Sequence, residues 1–597
     1  MKRAAVALVA ACLAISSALA DWPAEKAAFK AAFTAESPVE RACAVKALRD
    51  FDHPEGMALL LESYSSEKDS EVRQALADVM NAVTNVRARD VFRDTILKHP
   101  DAPTRARYCA LFADGRMLDR FEMLRFLLRD ASELVRARAL RNLGPSDAAL
   151  AADAAKLVED PVADVRMAAC GALGNVKSDE GVPALVKAVE MEKLAEIKWA
   201  AGDALGKISG QAYGEDAALW KKWWTERRFA AMSPVEKALW KGGEFLKPRF
   251  RTLLEAYEKA EASPVAGGES MRVFAARPIS LVTYAMLHAG VPPDDPDMKA
   301  GIELLERMPL SQTYDVALAA MALADHDPKA HRERLAEIAQ WLVDQQCVNG
   351  QWSYGAWFAQ NQPSKPKKEK KSATPPEKTG SGTTAEIQKI PVTWKDAIVR
   401  VPSGDNSNTQ YALLGLRACL SAAEIPKASW QRSLAWFRRT QTGDGSWHYG
   451  SVGFPGKLPG WGSMTAGGVS SLVICMRALG MDDELQPDKL KTQKEIRAAM
   501  EWMGANFSVV ANPKCGTYVY YWLYAVERAG MIMGVAEFGK HDWYKEGSEM
   551  LLKAQAEDGS WKCATDPMAD TDNDTCFAIL FLRKATKGYT VTGPGKK

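Results

Sequence analysis

Apolar residues recur three and four positions apart along most of the 597-residue chain, and the longer pattern into which they group changes once, near Met232. That spacing is the signature of amphipathic helices, so helices are expected throughout. Before Met232 a single motif returns: a β-branched residue, a basic residue, small residues, and a bulky apolar residue eight positions after the first. Copies begin at Val72-Arg73, Thr104-Arg105, Val135-Arg136, Val165-Arg166 and Ile197-Lys198, at spacings of 32, 31, 30 and 32, with a weaker copy at Glu40-Arg41. The apolar partners are Leu48, Met80, Phe112, Leu143, Leu173 and Leu205. Asp69, Asp101, Asp130 and Asp160 stand just upstream, suited to capping each helix or pairing its first-turn arginine. One such hairpin cannot bury its own apolar stripe, so neighbours must stack. Each basic residue is expected to satisfy an acid of its own or the next repeat. Trp220, Trp223 and Trp224, at helical spacing, are expected to seal the end of the stack across 211–231.

After Met232 the helices come in pairs separated by Gly, Pro and Asp turns. The more polar member is expected at 234–260, 298–308, 331–346, 430–441, 496–507 and 544–555. The member rich in small and apolar residues is expected at 279–289, 313–324, 408–420, 465–479, 517–529 and 573–582. Three of the polar helices end alike. Gln346, Gly350 and Trp352 share their spacing with Gln441, Gly445 and Trp447, and with Gln555, Gly559 and Trp561. Glycine allows the left-handed turn that closes a helix. Tryptophan adds a large apolar plate, and glutamine an amide for free backbone groups of the next hairpin. Residues of about 358–400, including the Lys- and Pro-rich run 365–384, are too poor in apolar groups to bury a core, so a disordered insertion is expected there.

The periodic segments resemble known families. Residues of about 21–210 are similar to HEAT repeats. The three Gln–Gly–Trp segments resemble the QW repeats of squalene and oxidosqualene cyclases, over about 232–590, a fold shared by protein prenyltransferases and thioester domains. The resemblance implies an all-α chain: a HEAT-like α-solenoid followed by an α6/α6 toroid, with inner helices around a central cavity. It also implies that the Gln, Gly and Trp residues brace the outer ring rather than react. The combination is similar to exported bacterial proteins that join the two modules.

The chemistry of those families is not carried over intact. Cyclases protonate an alkene with a DxDD motif, and the nearest run here is Thr571-Asp572-Asn573-Asp574, where Asn573 replaces the proton donor. An amide cannot protonate an alkene. Asp572, Asn573 and Asp574 are expected to cap a helix. Cys515-Gly516-Thr517-Tyr518 begins as a thioester motif and then diverges, and the seven His show no zinc spacing with Cys. No metal or cofactor is expected. Candidates for acid or base work are Asp405 and Asp574. Candidates for ligand binding are Asp315, Asp405, Asn408, Gln410, Trp461, Tyr518, Tyr521 and His541, because aromatic walls with a few convergent polar groups suit a small ligand or sugar.

Composition narrows the partners. A net charge of +2 argues against nucleic acid as a partner. Lys2 and Arg3, the apolar run 4–15 and Ala18-Leu19-Ala20 read as a signal peptide over 1–20. The alternative is lipid attachment at Cys12. Either way the chain is expected to be exported, periplasmic or secreted, and no other stretch is long enough to span a bilayer. The expected role is an extracytoplasmic binding or scaffold protein, with a protein partner on the repeat array and a hydrophobic or glycan ligand in the ring. The alternative is a divergent terpenoid cyclase, transferase or polymer-acting enzyme using a carboxylate in the cavity.

Overall fold

The computed structural model describes residues 22–48, 51–113, 117, 119–262, 268–355, 388–396, 398, 400–450 and 460–588, of which 268–277 and 487 are described in backbone only. The expected signal peptide over 1–20, Cys12 and the run 365–384 lie outside the described residues. The chain divides into two compact units, Met1–Ala231 and Met232–Lys597, and among the described residues it is all-α apart from two pairs of two-residue strands.

In the first unit, helix follows helix from Trp22 to Ala231, each burying its apolar stripe in one continuous core. Val72, Val135, Val165 and Ile197 from the repeated motif are almost wholly buried, as are Met80, Phe112, Leu143, Leu173 and Leu205. Four of the six basic residues of the ladder pair across repeats in a constant geometry, while Arg73 and Lys198 form no such rung among the described residues. Arg41 reaches Glu67 at 2.8 Å, Arg105 reaches Asp130 at 2.8 Å, Arg136 reaches Asp160 at 2.9 Å and Arg166 reaches Glu192 at 2.8 Å. Each guanidinium also donates through Nη1 to the carbonyls six and five residues before it, such as Asp130 O at 2.9 Å and Ala131 O at 3.0 Å from Arg136. The acid then accepts a backbone N–H from the start of the next helix, as Asp160 does from Val162 at 2.9 Å. Two of the upstream acids, Asp69 and Asp101, cap their helices instead; Glu67, just before Asp69, takes the Arg41 rung, and Glu192 takes that of Arg166. The ladder therefore joins repeats, leaving little guanidinium for a partner. Trp220 is fully buried at the end of this core, its Nε1 donating to Gly214 O at 2.8 Å, with Trp223 edge-on to it at 5.9 Å.

Among the described residues, and besides the short helical turns Asp483–Leu485 and Pro487–Leu490, the second unit contains six polar helices, α1 (Pro234–Ala262), α3 (Pro296–Arg307), α5 (Arg332–Gln345), α7 (Lys427–Thr440), α9 (Lys494–Asn506) and α11 (Trp543–Ala554). Between them run six apolar ones, α2 (Gly268–Ala289), α4 (Thr313–His326), α6 (Asn406–Cys419), α8 (Gly462–Ala478), α10 (Val519–Met533) and α12 (Thr571–Arg583). Each even-numbered helix packs on the next, and α12 packs back on α2, so the apolar helices form a closed cycle. Their sequences are apolar on nearly every side, as expected of helices covered all round.

The three Gln–Gly–Trp segments share one geometry. Gln346 Nε2 donates to Gly350 O at 3.2 Å and to Ser429 O at the start of α7, 3.0 Å away. Gln441 does the same to Gly445 O at 2.9 Å and to Glu495 O in α9 at 2.8 Å. Gln555 closes the series, donating to Gly559 O at 3.0 Å and to Ala238 O in α1 at 2.9 Å. Every glycine has a positive φ, 92°, 92° and 90°, and sits so near the next polar helix that an added Cβ would lie 2.4 Å from a carbonyl oxygen. Each tryptophan is fully buried, and its Nε1 caps a carbonyl at the end of its own helix: Leu342 O, Phe437 O and Leu551 O. A threonine in the first turn of the following apolar helix completes the unit. Thr409, Thr465 and Thr575 accept the Trp352, Trp447 and Trp561 backbone N–H at 3.1, 3.2 and 3.0 Å.

Three expectations are corrected. Residues 388–396, 398 and 400, expected to belong to a disordered insertion, are ordered. Strand Ile390–Pro391 pairs in parallel with Ala423–Glu424, and Val392 is buried. Trp394 stacks on Arg400, 3.7 Å from its ring centre, and Arg400 donates to the C-terminal carbonyls Val343 O and Gln346 O of α5. A charged segment is ordered here because it supplies the missing donors of a helix end. Helix α2 starts at Gly268 rather than near 279. Helix α10 starts at Val519, two residues late, because Tyr518 takes a left-handed conformation at φ 61°. The nine cysteines among the described residues are free thiols.

Candidate functional site

Where the N-terminal ends of α4, α6, α8, α10 and α12 converge, they leave a cavity of about 650 Å³. Its wall joins Gln312, Tyr314 and Asp315 of α4 and its cap, Ser407 and Tyr411 of α6, and Trp461 and Ser463 of α8. Tyr518 and Tyr521 of α10 and Asp570, Asp572, Asp574 and Phe577 of α12 complete it, with Tyr354 and Tyr449 from the segments after two of the Trp plates.

The floor is a hydrogen-bonded cluster of hydroxyls. Tyr521 Oη lies 2.7 Å from Ser407 Oγ and 3.2 Å from Tyr314 Oη, and Tyr314 also meets Ser407 directly. Gln410 Nε2 donates to Tyr521 Oη at 2.7 Å, while its Oε1 accepts from Arg528 Nη2 at 2.8 Å. Arg528 therefore sets which way round the Gln410 amide sits. This guanidinium is fully buried, with Tyr524, Tyr411 and Tyr521 ring centres 4.3, 4.9 and 5.9 Å from it. Arginine does not shed its proton, so a buried one must be stabilised in place, here by π faces and oxygen acceptors. Its neighbour Glu527 faces away, accepting from Thr586 N at 2.9 Å and Thr586 Oγ1 at 2.7 Å, and burial pushes its pKa up to about 7.

The α12 carboxylates differ from one another. Asp570 caps the helix by accepting from Asn573 N at 2.9 Å, so the cap is Asp570 rather than Asp572, Asn573 or Asp574. Asp572 lies 3.6 Å from Arg249, and burial raises its pKa. Asp574 accepts from Cys563 N at 3.0 Å through one oxygen only. Burial, with Asp566 and Asp570 nearby, raises its pKa to about 6.

Of the residues singled out from sequence, Asp315, Trp461, Tyr518, Tyr521 and Asp574 line this cavity. Four do not line it. Asp405 caps α6, its two oxygens taken by Asn408 N at 2.7 Å and Asn408 Nδ2 at 2.8 Å, and burial raises its pKa. Asn408 is its clasp, without exposed surface. Gln410 stands behind the floor. His541 sits on the hairpin Glu537–Phe538/His541–Asp542, 3.0 Å from Glu546 and stacked on Phe507 at 4.8 Å. Each was placed by nearness to a helix start, and a helix start can face its own cap as easily as a cavity.

Sequence reasoning passed over Gln312, Tyr354, Tyr449 and Arg528. A signal existed for two of them: Trp352-Ser353-Tyr354-Gly355 and Trp447-His448-Tyr449-Gly450 repeat one pattern, and the two tyrosine hydroxyls meet at 2.7 Å. Nothing local marks Arg528, a lone charge near the end of a helix expected to be apolar. Among the described residues no group of acids, His and Cys is arranged to hold a metal, and no helix is long and apolar enough to cross a membrane.

Comparison with known proteins bears on the first unit. No curated protein matches the chain. Among solved structures, a condensin subcomplex of S. pombe aligns at 10% identity over 94% of this chain and 70% of its own, with a TM-score of 0.21. Importin beta aligns at 11% identity over 94% of this chain and 66% of its own, with a TM-score of 0.20. The family model described as HEAT repeats matches residues 25–113 and 121–206. Residues 25–113 and 121–206 of this all-helical protein are therefore HEAT repeats.

Proposed function

We propose that this is an exported binding protein: a HEAT array that docks a protein partner, followed by an α6/α6 toroid of the squalene cyclase type whose cavity takes a small ligand. The observation that carries the reading is the cavity of about 650 Å³ ringed by the N-terminal ends of five apolar helices. A volume of this order suits a small-molecule ligand, and its walls mix aromatic faces with a few polar groups. The closed packing of the even helices and the three repeated Gln–Gly–Trp braces support the toroid. The HEAT repeats support the protein partner, stacked repeats being extended interaction surfaces.

The test is to incubate the purified chain with squalene and with isoprenyl diphosphates, measuring both binding and product. No multiple-turnover product is expected, and turnover would overturn the reading. Export is tested by intact mass after expression with the leader in a Gram-negative host: the periplasmic chain should begin at Asp21. A chain that stays in the cytoplasm at full mass would refute it.

One observation favours a second reading, an enzyme. Asp574 faces the cavity with its pKa raised to about 6, which suits a carboxyl that exchanges a proton near neutral pH. Loss of a detected turnover in Asp574→Asn, with the melting temperature kept, would establish it.

A further inference from the structure

We propose that the ligand of this cavity is a saccharide, an inference that rests on the cavity being a binding site. Three independent features of the wall ask for the same chemistry. The first is a donor. Gln312 is 4% exposed and lines the cavity, yet its Nε2 has no hydrogen-bond partner. A buried amide N–H left unpaired is costly, and an oxygen on the ligand would recover the loss. The second is an acceptor. Asp574 gives one oxygen to Cys563 N, and its other oxygen receives no hydrogen bond among the described residues. The third is a pair of plates. Tyr518 is 45% exposed and held at φ 61°, between Asn512 Nδ2 bonded to Thr517 O and Asp566 bonded to Val519 N. Trp461 packs against Tyr449 on the same wall, their rings tilted by 31° with centres 5.7 Å apart.

A hydrocarbon or terpenoid would cover the plates but leave the Gln312 amide and the Asp574 oxygen unpaired in a dry site, which is the expensive outcome. A pyranose meets all three demands together. Its axial C–H face lies on an aromatic ring, its hydroxyls donate to a carboxylate, and its ring or hydroxyl oxygens accept from an amide. Below them, the Tyr314–Ser407–Tyr521 hydroxyls can donate or accept as the sugar requires.

The test titrates the full chain with cellotetraose, maltotetraose, xylotetraose and tetra-N-acetylchitotetraose by calorimetry and tryptophan fluorescence, with squalene and farnesyl diphosphate in parallel. At least one tetrasaccharide should bind saturably. Gln312→Leu and Trp461→Ala should each weaken it by about fivefold or more. Gln312→Leu replaces an unpaired amide with an apolar group, so it should melt at or above the parent temperature while losing affinity, a combination that a structural glutamine would not give. Binding unchanged in both variants would place the sugar elsewhere and overturn the proposal. If only squalene or farnesyl diphosphate binds, the saccharide inference falls and the cavity reading stands. If nothing binds, both fall.

Discussion

Substituting Gly559 by alanine tests whether the braces hold the polar helices together, because the control for it lies in the same unit. Gly480 has φ 78° and nothing within 4 Å of an added Cβ, so Gly480→Ala measures the backbone penalty alone. That penalty is about 1–2 kcal/mol for a left-handed alanine. Gly559 has φ 90°, and its Cβ would lie 2.4 Å from Lys241 O and 3.0 Å from Lys241 Cβ on α1. Bringing the shorter contact to the 3.0 Å that real Cβ atoms respect moves α11 and α1 apart by about 0.6 Å. The Gln555–Ala238 hydrogen bond, now 2.9 Å, then stretches to the edge of its range, a loss of about 1 kcal/mol. Overpacking around the fully buried Trp561 adds about 1–3 kcal/mol. Gly559→Ala should therefore cost about 2–4 kcal/mol more than Gly480→Ala, lowering the Tm of the second unit by about 3–6 °C more. Differential scanning calorimetry is the assay, with the two units fitted as separate transitions, since a two-unit chain need not melt in one step. Equal shifts for the two variants would refute the reasoning, because the close approach would then carry no energy. The same excess is expected for Gly350→Ala and Gly445→Ala, whose Cβ atoms would also meet carbonyl oxygens at 2.4 Å.

Removing a rung of the ladder should destabilise the first unit. Arg136→Met strands the Asp160 carboxylate, whose side chain is 5% exposed, and should cost about 3 kcal/mol by urea titration, whereas Asp160→Asn should cost less; equal and negligible losses would mean the ladder is ornamental. The pH dependence has a worked sign. Glu527 has a pKa raised from 4.5 to about 7, so the folded chain holds a proton that the unfolded chain releases between those values. Its contribution to stability is thus fully present below about pH 4.5 and is lost as pH rises to about 7. Glu527→Gln, which can keep both Thr586 contacts, should raise the Tm at pH 8 and leave it nearly unchanged at pH 4.5; the opposite order would show that Glu527 is ionised in the fold without penalty.

Much of the helical pattern could be read directly, because helix periodicity and the Gln–Gly–Trp spacing report interactions between residues four apart. Gln441 to Gly445 O is such a contact. The repeated basic residues were readable for a related reason: the same rung returns in four of the six copies. Boundaries were less legible wherever a side chain from elsewhere caps an end, as Arg400 does for α5. The candidate site was half legible. Asp405 and Asp574 look alike in sequence, each beside an asparagine at the head of an apolar helix. One has both oxygens taken by its own helix, and the other turns an oxygen to the cavity.

By itself the sequence determined an all-helical chain, the HEAT-type period of its first part, and the change of pattern at Met232. These follow from local spacing, which survives without knowledge of neighbours. Tertiary structure alone decided that Gln555 meets Ala238, 317 residues away, that Arg528 is buried among tyrosines, and that Gln312 is left with an unpaired amide beside a cavity. Those facts depend on which helix faces meet when the apolar helices close their cycle, and no spacing within a single helix encodes what will stand across from it.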